Sequence, residues 1–208
     1  MNWDPFAERL ASTEPTPGGG AAAARVGHIV SALTAKVIRL SLRRAKDTAF
    51  RTRLEELERR VCNAATGFLE LEAEDENAFR SLLAAMKGAR EDKSEIAQSA
   101  LQKASVRAAT APLAIMELAA RLLVDIAEIC ELATQGLLRA ESDVPVAAEL
   151  LMGCYDSGVW TVRVNLPYLS ELDRAELETR WLTVESKMRP LHDNIRKLMD
   201  EHIGGKSP

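Results

Sequence analysis

The sequence has few aromatic residues, few cysteines and no excess of positive charge. Phe, Trp and Tyr make up 4% of the 208 residues, so we expect an aliphatic core with close helix contacts. Cys62, Cys130 and Cys154 are too few and too scattered for a disulfide framework or a zinc site; each lies among apolar residues, as a small buried hydrophobe would. A net charge of −4 gives no broad basic field, which argues against a nucleic-acid partner.

Targeting and membrane-spanning segments are also not expected. The first residues, Met1 to Pro5, are neither basic nor part of a long apolar run, so they do not resemble a signal peptide. No uninterrupted apolar stretch reaches the length needed to cross a bilayer, and no membrane partner is expected. A cytoplasmic location is the prediction.

The residues that are abundant predict an all-α fold. Leu, Ala, Glu and Arg dominate, β-branched runs are scarce, and a 47% hydrophobic share is ample for a core. We expect one domain over residues 1–208, a bundle of long, partly kinked helices. Apolar periodicity and capping residues predict helices at 4–11, 19–44, 48–87, 93–138, 144–169 and 173–203. We also expect a kink or new segment at Pro112, a bend at Pro190, a loop at 88–92 with Asp92 as N-cap, and a frayed tail at 204–208.

A glycine-rich run, Pro15–Ala24, predicts a tight turn that opens directly into a helix. Bare backbone N–H groups at such a start can receive an anion or a polar carbonyl group. The residues of this turn that we expect to contact a ligand are Pro17, Gly18, Gly19 and Gly20. The phosphate-loop and dinucleotide patterns are both missing. A second role, compatible with the first, is close helix packing by a stripe of small residues: Gly20, Ala24, Gly27 and Ser31.

Asp75 falls on the apolar stripe of the third predicted helix, between Leu71 and Phe79. Desolvation at such a position raises the pKa of a carboxyl group toward the range useful for acid–base catalysis. Asp75 is therefore the first candidate catalytic residue. The alternative is a structural carboxylate that caps a neighbouring helix or pairs with an arginine.

Three further polar residues mark the second half of the chain. Ser142 and Asp143 stand where a helix begins, so each could cap that helix or serve a ligand, with Asp143 as a second acid. Asn165 lies in an apolar segment, where its amide could read the edge of a ligand or join two helices. The three histidines are far apart in sequence and have no partners at ligand spacing, so no metal site is expected.

Five segments, in their order and spacing, resemble the cyclodeaminase/cyclohydrolase family. This family includes the C-terminal half of formiminotransferase-cyclodeaminase and stand-alone methenyltetrahydrofolate cyclohydrolases. The segments are Pro15–Ala23, Asp75–Phe79, Ala111–Leu113, Ser142–Asp143 and Val162–Leu166. The resemblance implies a helical bundle that pairs into a homodimer, with the folate pocket at or near the subunit contact.

The resemblance also implies the chemistry. A cyclohydrolase adds water to the methenyl carbon of 5,10-methenyltetrahydrofolate, whereas a cyclodeaminase closes the same ring from a formimino group and releases ammonia. Both reactions need a carboxylate and a hydrogen-bond donor, which Asp75 and the glycine turn could supply. The expected ligand is a tetrahydrofolate derivative as substrate, with no tightly bound cofactor and no metal.

Basic residues that could meet the negatively charged glutamate tail of folate are Lys46, at the end of a family basic cluster, and Arg90. Lys46 is equally well explained as a solvated surface residue, and Arg90 could supply the positive charge instead. Leu137 and Arg139 stand where the family has amide side chains, and Asp47 follows a shortened basic segment. These departures keep a second hypothesis open: a non-catalytic helical dimer of the same family that binds a folate-like ligand or has lost turnover.

Overall fold

The computed structural model describes residues 3–204, and it confirms the prediction of an all-α fold. These residues form six α-helices and one short 3₁₀ helix, and no strand is found among them. The α-helices are α1 (Pro5–Leu10), α2 (Gly19–Leu42), α3 (Thr48–Glu91), α4 (Glu95–Thr134), α5 (Asp143–Asn165) and α6 (Glu171–Gly204), and the 3₁₀ helix is Leu166–Tyr168. Most of the predicted tail, residues 205–208, lies outside the described residues.

The connection between α3 and α4 is shorter than predicted. Helix α3 continues through Gly88 to Glu91, so the predicted loop at 88–92 is wrong, and Asp92 is the C-cap of α3. Ser94 is the N-cap of α4, and its hydroxyl accepts the backbone N–H of Ala97. The Asp92 carboxylate instead accepts the N–H and O–H groups of Ser94, which turns the chain within three residues.

Helix α4 runs without interruption through Pro112, so no new segment begins there. Proline lacks an N–H, which leaves the carbonyl of Ala108, four residues earlier, without its helical donor. The side-chain amide of Asn165 fills this gap, since its Nδ2 donates to the Ala108 carbonyl at 3.2 Å and to that of Thr161 at 2.9 Å. One of the two roles left open for Asn165, joining two helices, is thereby observed.

The start of α5 differs from the expected cap. Ser142 occupies the N-cap position with helical backbone angles, and its side chain makes no capping hydrogen bond. Asp143 lies inside the first turn, where its carboxylate accepts a hydrogen bond from Lys36 Nζ at 2.7 Å. Side-chain capping by either residue is therefore not observed, because Asp143 is engaged by a lysine of α2. Helix α5 ends at Asn165, and the 3₁₀ helix replaces its predicted last turn.

Helices α2 to α5 form an up-and-down bundle, and α6 packs mainly on α4. Cross-helix pairs show that neighbours run antiparallel: Arg39–Glu58 joins α2 to α3, Arg53–Glu128 joins α3 to α4, and Lys36–Asp143 joins α2 to α5. The buried core is almost entirely aliphatic, as the low aromatic content predicted. The bundle thus holds the first turn of α2 between the middle of α3 and the end of α5.

Helix α2 carries apolar residues on two sides. Of the helices in residues 3–204, it alone is long and apolar enough to span a membrane by length and composition, although sequence analysis predicted no such segment. Over half of its apolar window is buried within the bundle, and core helices meet the same criterion. The remaining apolar residues of α2 are exposed or half-buried and include Ile29 and Leu33.

The small-residue stripe of α2 permits the close contact with α3 that sequence analysis predicted. A Cβ atom placed on Gly27 would lie 2.4 Å from Cε1 of Phe68, which is fully buried. A gap so short requires either the ring or the helix to move. Gly27 therefore sets the separation of the two helices at the centre of the bundle.

We expect Gly27→Ala to lower the free energy of unfolding by about 1–3 kcal/mol, because the new methyl group overpacks the Phe68 contact. Gly88→Ala is the control, since nothing lies within 4 Å of its Cβ position in α3. Alanine is the better helix former, so this control should raise stability by up to about 1 kcal/mol. Urea denaturation measures both. Equal stability of the Gly27 variant and the wild type would contradict the packing argument.

Candidate functional site

A hollow of about 190 Å³ opens where the first turn of α2 meets α3 and α5. Backbone atoms of the glycine turn form one wall, and side chains from the helices form the others. The lining residues are Pro15, Thr16, Gly18, Gly19, Gly20, Asp75, Phe79, Ala108, Thr161, Val164 and Asn165. The sequence prediction that the bare start of α2 and the acid of α3 share one hollow is confirmed.

The Asp75 carboxylate lies against the backbone of Gly20. A Cβ atom on Gly20 would come within 2.1 Å of Asp75 Oδ1, so only glycine permits this approach. The N-cap residue of α2, Gly18, has no side chain to accept the first N–H groups of the helix. Asp75 interacts instead with the N–H of Ala21 and so acts as a capping carboxylate from a neighbouring helix, one of the alternatives considered from the sequence.

The electrostatic environment of Asp75 favours proton exchange near neutral pH. Burial raises the pKa of this carboxyl group to about 6, and the negative charges of Glu76 and Glu74 act in the same direction. The Ala21 N–H opposes the rise because it stabilises the ionised form. Asp75 is therefore mostly ionised at pH 7 and can still accept a proton.

The wall opposite α3 comes from the end of α5. Thr161 Oγ1 donates a hydrogen bond to the carbonyl of Ser157. Asn165 Nδ2 donates to the backbone carbonyls of Ala108 and Thr161, as described above. Among residues 3–204, no donor is bound to Asn165 Oδ1, which leaves this oxygen free to accept a hydrogen bond within the hollow. Exposed Val164 and Phe79 add apolar surface at the rim.

Half of the predicted site residues line the hollow. Gly18, Gly19, Gly20, Asp75 and Asn165 all line it. Pro17 is buried next to the turn and is not part of the lining.

The other predicted residues lie elsewhere in the single chain. Lys46 is exposed beyond the far end of α2, and Arg90 is exposed in the last turn of α3, roughly 22 Å along the helix from Asp75 at 1.5 Å per residue. Ser142 and Asp143 lie at the opposite end of α5 from Asn165, roughly 33 Å away by the same measure. One chain therefore does not place Asp143 beside Asp75.

Sequence analysis missed several residues of the lining: Thr16, Phe79, Ala108, Thr161 and Val164. Phe79 follows Asp75 by four residues and so shares its helix face, which was a usable signal. Thr161 precedes Asn165 by the same interval on α5. Nothing in the sequence around Ala108 indicated a role, because its carbonyl is available to Asn165 only through the missing N–H of Pro112.

The described part of the chain, residues 3–204, contains no group of three or more His, Cys, Asp or Glu side chains that could hold a metal ion. Cys130 and Cys154 are buried, and burial raises the pKa of their thiols to about 11 and about 12. Cys62 is half-buried, and none of the three lines the hollow.

The fold and the hollow define an all-α bundle with a small cleft built on a bare helix start and a half-buried acid. Comparison with known protein families identifies the larger group. The family model described as "Formiminotransferase-cyclodeaminase" matches residues 2–181. The chain belongs to this formiminotransferase-cyclodeaminase family, as the sequence motifs predicted.

Two relatives illustrate the range of the family. The chain is 32% identical over 183 residues to a methenyltetrahydrofolate cyclohydrolase of Methylorubrum extorquens, which covers 86% of this chain and 85% of the relative. The crystal structure of formiminotetrahydrofolate cyclodeaminase from Thermotoga maritima superimposes with a TM-score of 0.85, 22% identity and 98% coverage of both chains. At that identity the second likeness shows the fold alone.

We expect Gly20→Ala to displace the Asp75 carboxylate, because the new methyl group would occupy the position of Oδ1. The pKa of Asp75 should fall from about 6 toward its ordinary value as the group moves into water. The free energy of unfolding should fall by about 1–3 kcal/mol. Gly18→Ala is the control, since nothing lies within 4 Å of that Cβ position. NMR titration of the Asp75 carboxyl group measures the shift, and an unchanged pKa in the Gly20 variant would refute the contact.

Proposed function

We propose that this protein is a methenyltetrahydrofolate cyclohydrolase. The observation that carries the proposal is the ionisable carboxylate of Asp75, held against bare helix backbone in a hollow of a chain from this family. The cyclohydrolase relative, similar over most of both chains, supports the choice of reaction. The substrate class is a tetrahydrofolate that carries a cationic methenyl bridge.

The proposed reaction uses Asp75 as a general base. A water molecule gives its oxygen to the methenyl carbon and one proton to the carboxylate, which forms a neutral tetrahedral adduct. A proton then goes to one of the two ring nitrogens as its bond to this carbon breaks, and the remaining hydroxyl loses its proton as the formyl carbonyl forms. One water is consumed, and one proton is released to solvent. General-base help of this kind accelerates reactions by about 10²–10⁴-fold.

Charge supports the same assignment. The methenyl bridge is cationic, so an ionised Asp75 nearby stabilises its binding and helps to exclude anions from the reaction carbon. The hydrogen bonds found among residues 3–204 do not use the N–H groups of Gly19 and Gly20, which can donate to oxygen atoms of the ligand. Asn165 Oδ1 supplies an acceptor for N–H groups of the pterin ring.

Cyclodeaminase activity is the second candidate function, and it would use the same hollow. The family model supports it, since its description carries that activity. The two reactions pass through a tetrahedral carbon between two nitrogens, so Asp75 can serve proton transfer in either, although no water attacks in the cyclodeaminase reaction. They differ in whether ammonia or a formyl product leaves.

We expect the purified protein to accelerate the loss of the near-ultraviolet absorbance of 5,10-methenyltetrahydrofolate above the buffer rate. Asp75→Asn should keep the fold and lower kcat by about 10²-fold or more, because it removes the base. The kcat/KM of the wild type should rise with pH through about 6 and then level, since the ionised form of Asp75 is active.

Ammonia release and folate binding, measured beside this assay, discriminate between the hypotheses. Ammonia release from formiminotetrahydrofolate without methenyl hydrolysis would favour the cyclodeaminase. Binding of either folate without turnover would favour the non-catalytic dimer. Unchanged turnover in Asp75→Asn would assign the proton transfer to another group.

We further propose that the protein is a homodimer that pairs through the exposed sides of α2 and α5. This α2–α5 face consists of exposed or half-buried apolar residues: Ala22, Val26, Ile29, Leu33 and Leu40 on α2, and Val146, Leu150, Trp160 and Val164 on α5. Trp160 and Val164 are 66% and 63% exposed in the single chain. Exposed apolar side chains that share one face in this way are typical of protein–protein contact sites, and Val164 joins the face to the hollow.

A two-fold axis near Ile29 would explain the separated site residues. The axis reverses α2, so the glycine turn of one subunit faces the opposite end of α2 in its partner. Lys36 and Asp143 pair at that end, with Ser142 adjacent, and Lys46 lies just beyond. Asp143 would then complete the site in the other subunit.

Ile29→Glu should convert the dimer into monomers, because it buries an unpaired charge at the axis. Ile96→Glu is the control, since Ile96 is 82% exposed on α4, outside the α2–α5 face. Sedimentation velocity measures both. A dimeric Ile29 variant would contradict the assignment of this face.

The sharing of sites can be tested separately. Asp75→Asn and Asp143→Asn chains, refolded together, should recover about one quarter of wild-type activity, because half of the random dimers are mixed and each mixed dimer has one intact site. No recovery above either parent variant would place both acids in the same chain or remove Asp143 from the site.

A further inference from the structure

Glu76, next to the candidate base, has a carboxylate that is almost completely buried, with the whole residue 5% exposed. Arg9 Nη2, from α1, donates to its Oε2 at 2.6 Å, and Arg80 Nη1 lies 3.4 Å from the same oxygen. Burial of a carboxylate is costly unless cations compensate it, and these two arginines do so. The cluster joins α1 to α3 directly behind the hollow.

The same cluster reaches the glycine turn. Arg80 Nη1 also donates to Thr16 Oγ1 at 2.9 Å, and Thr16 lines the hollow. Helix α1 has no buried residue, so apolar burial does little to fix it in place. A further contact is made by Phe6, whose ring lies under the Arg25 guanidinium at 4.4 Å. The polar contacts of Arg9 and Arg80 therefore form a direct attachment of this segment to α3.

We propose that Glu76 is a positioning residue: through Arg9 and Arg80 it fixes the segment from α1 to the triple glycine at its distance from Asp75. The functional consequence rests on the proposed reaction, in which both the turn and Asp75 contact the folate. A displacement of the turn by about 1 Å is enough to lower turnover substantially. Glu76 itself touches neither the hollow nor the substrate in this arrangement.

Glu74 offers a matched control on the other side of Asp75. Its two carboxylate oxygens each accept a hydrogen bond of 2.7 Å from Arg107, which belongs to α4 and makes no contact with the turn. Glu74 and Glu76 both raise the pKa of Asp75. Glu76→Gln and Glu74→Gln thus remove the same charge at the same separation in sequence, and only the first weakens the link to the turn, because it removes the ion pairs with Arg9 and Arg80.

The decisive measurement is kcat/KM at pH 8, where Asp75 is ionised in the wild type and in both variants. We expect Glu76→Gln to lower it by about 10–10²-fold, and Glu74→Gln to remain within about twofold of the wild type. Thr16→Val should lower kcat/KM as Glu76→Gln does, whereas Thr16→Ser, which keeps the hydroxyl, should have the kcat/KM of the wild type. Equal losses in the Glu76 and Glu74 variants would overturn the positioning role.

Hydrogen exchange gives a readout that does not depend on turnover. Amide hydrogens of residues 9–21 should exchange at least about tenfold faster in Glu76→Gln than in the wild type, and at the wild-type rate in Glu74→Gln. A folded Glu76→Gln with wild-type exchange there would overturn the inference. If Glu76→Gln does not fold, Arg80→Met and Thr16→Val decide it by the same criterion.

The two proposals fail in different ways. A wild type that turns over neither folate would contradict the proposed function. The hydrogen-exchange rates would still decide whether Glu76 fixes the position of the glycine turn. An active wild type, with hydrogen exchange unaltered in Glu76→Gln, Arg80→Met and Thr16→Val, would contradict only the positioning role of Glu76.

Discussion

The contact between the Asp75 carboxylate and the first turn of α2 is the constraint on which the site depends. Helix α2 starts at glycines that have no side chain to accept its first N–H groups. A carboxylate from α3 takes that place, and it reaches the backbone only because Gly20 has no Cβ. In this position the acid is also largely buried, and burial raises its pKa to about 6, although the N–H of Ala21 opposes the rise. One placement of the carboxylate therefore serves both the structural requirement of the helix start and the acid–base property of the site.

A second group serves structure and site together. Asn165 replaces the hydrogen bond that Pro112 cannot make, and this fixes the end of α5 against α4. With Nδ2 committed to backbone carbonyls, the orientation of the amide is set, and Oδ1 is directed to the free side. The rigid placement of this acceptor follows from a proline on a different helix. Preorganisation of this kind limits the entropy lost when a ligand binds.

Local patterns in the sequence were sufficient for much of the fold. The glycine–alanine transition gave the start of α2, and the acid on an apolar stripe gave Asp75. Contacts between helices that compensate for a helix-breaking residue could not be predicted from local patterns. Gly88 and Pro112 were interpreted as breaks, yet Asn165 repairs the helix at Pro112, and Gly88 is simply tolerated within a long helix. Asp143 looked like a cap, but Lys36, more than one hundred residues away in sequence, is its partner.

The absence of a Cβ at position 20 has a consequence for sequence divergence within the family. An alanine at this position is compatible with the fold only if the acid at position 75 retracts or is shortened, and a longer acid at 75 is excluded while the helices keep their spacing. The two positions are therefore expected to vary together or not at all. A change at either one alone would separate the helix start from its acceptor.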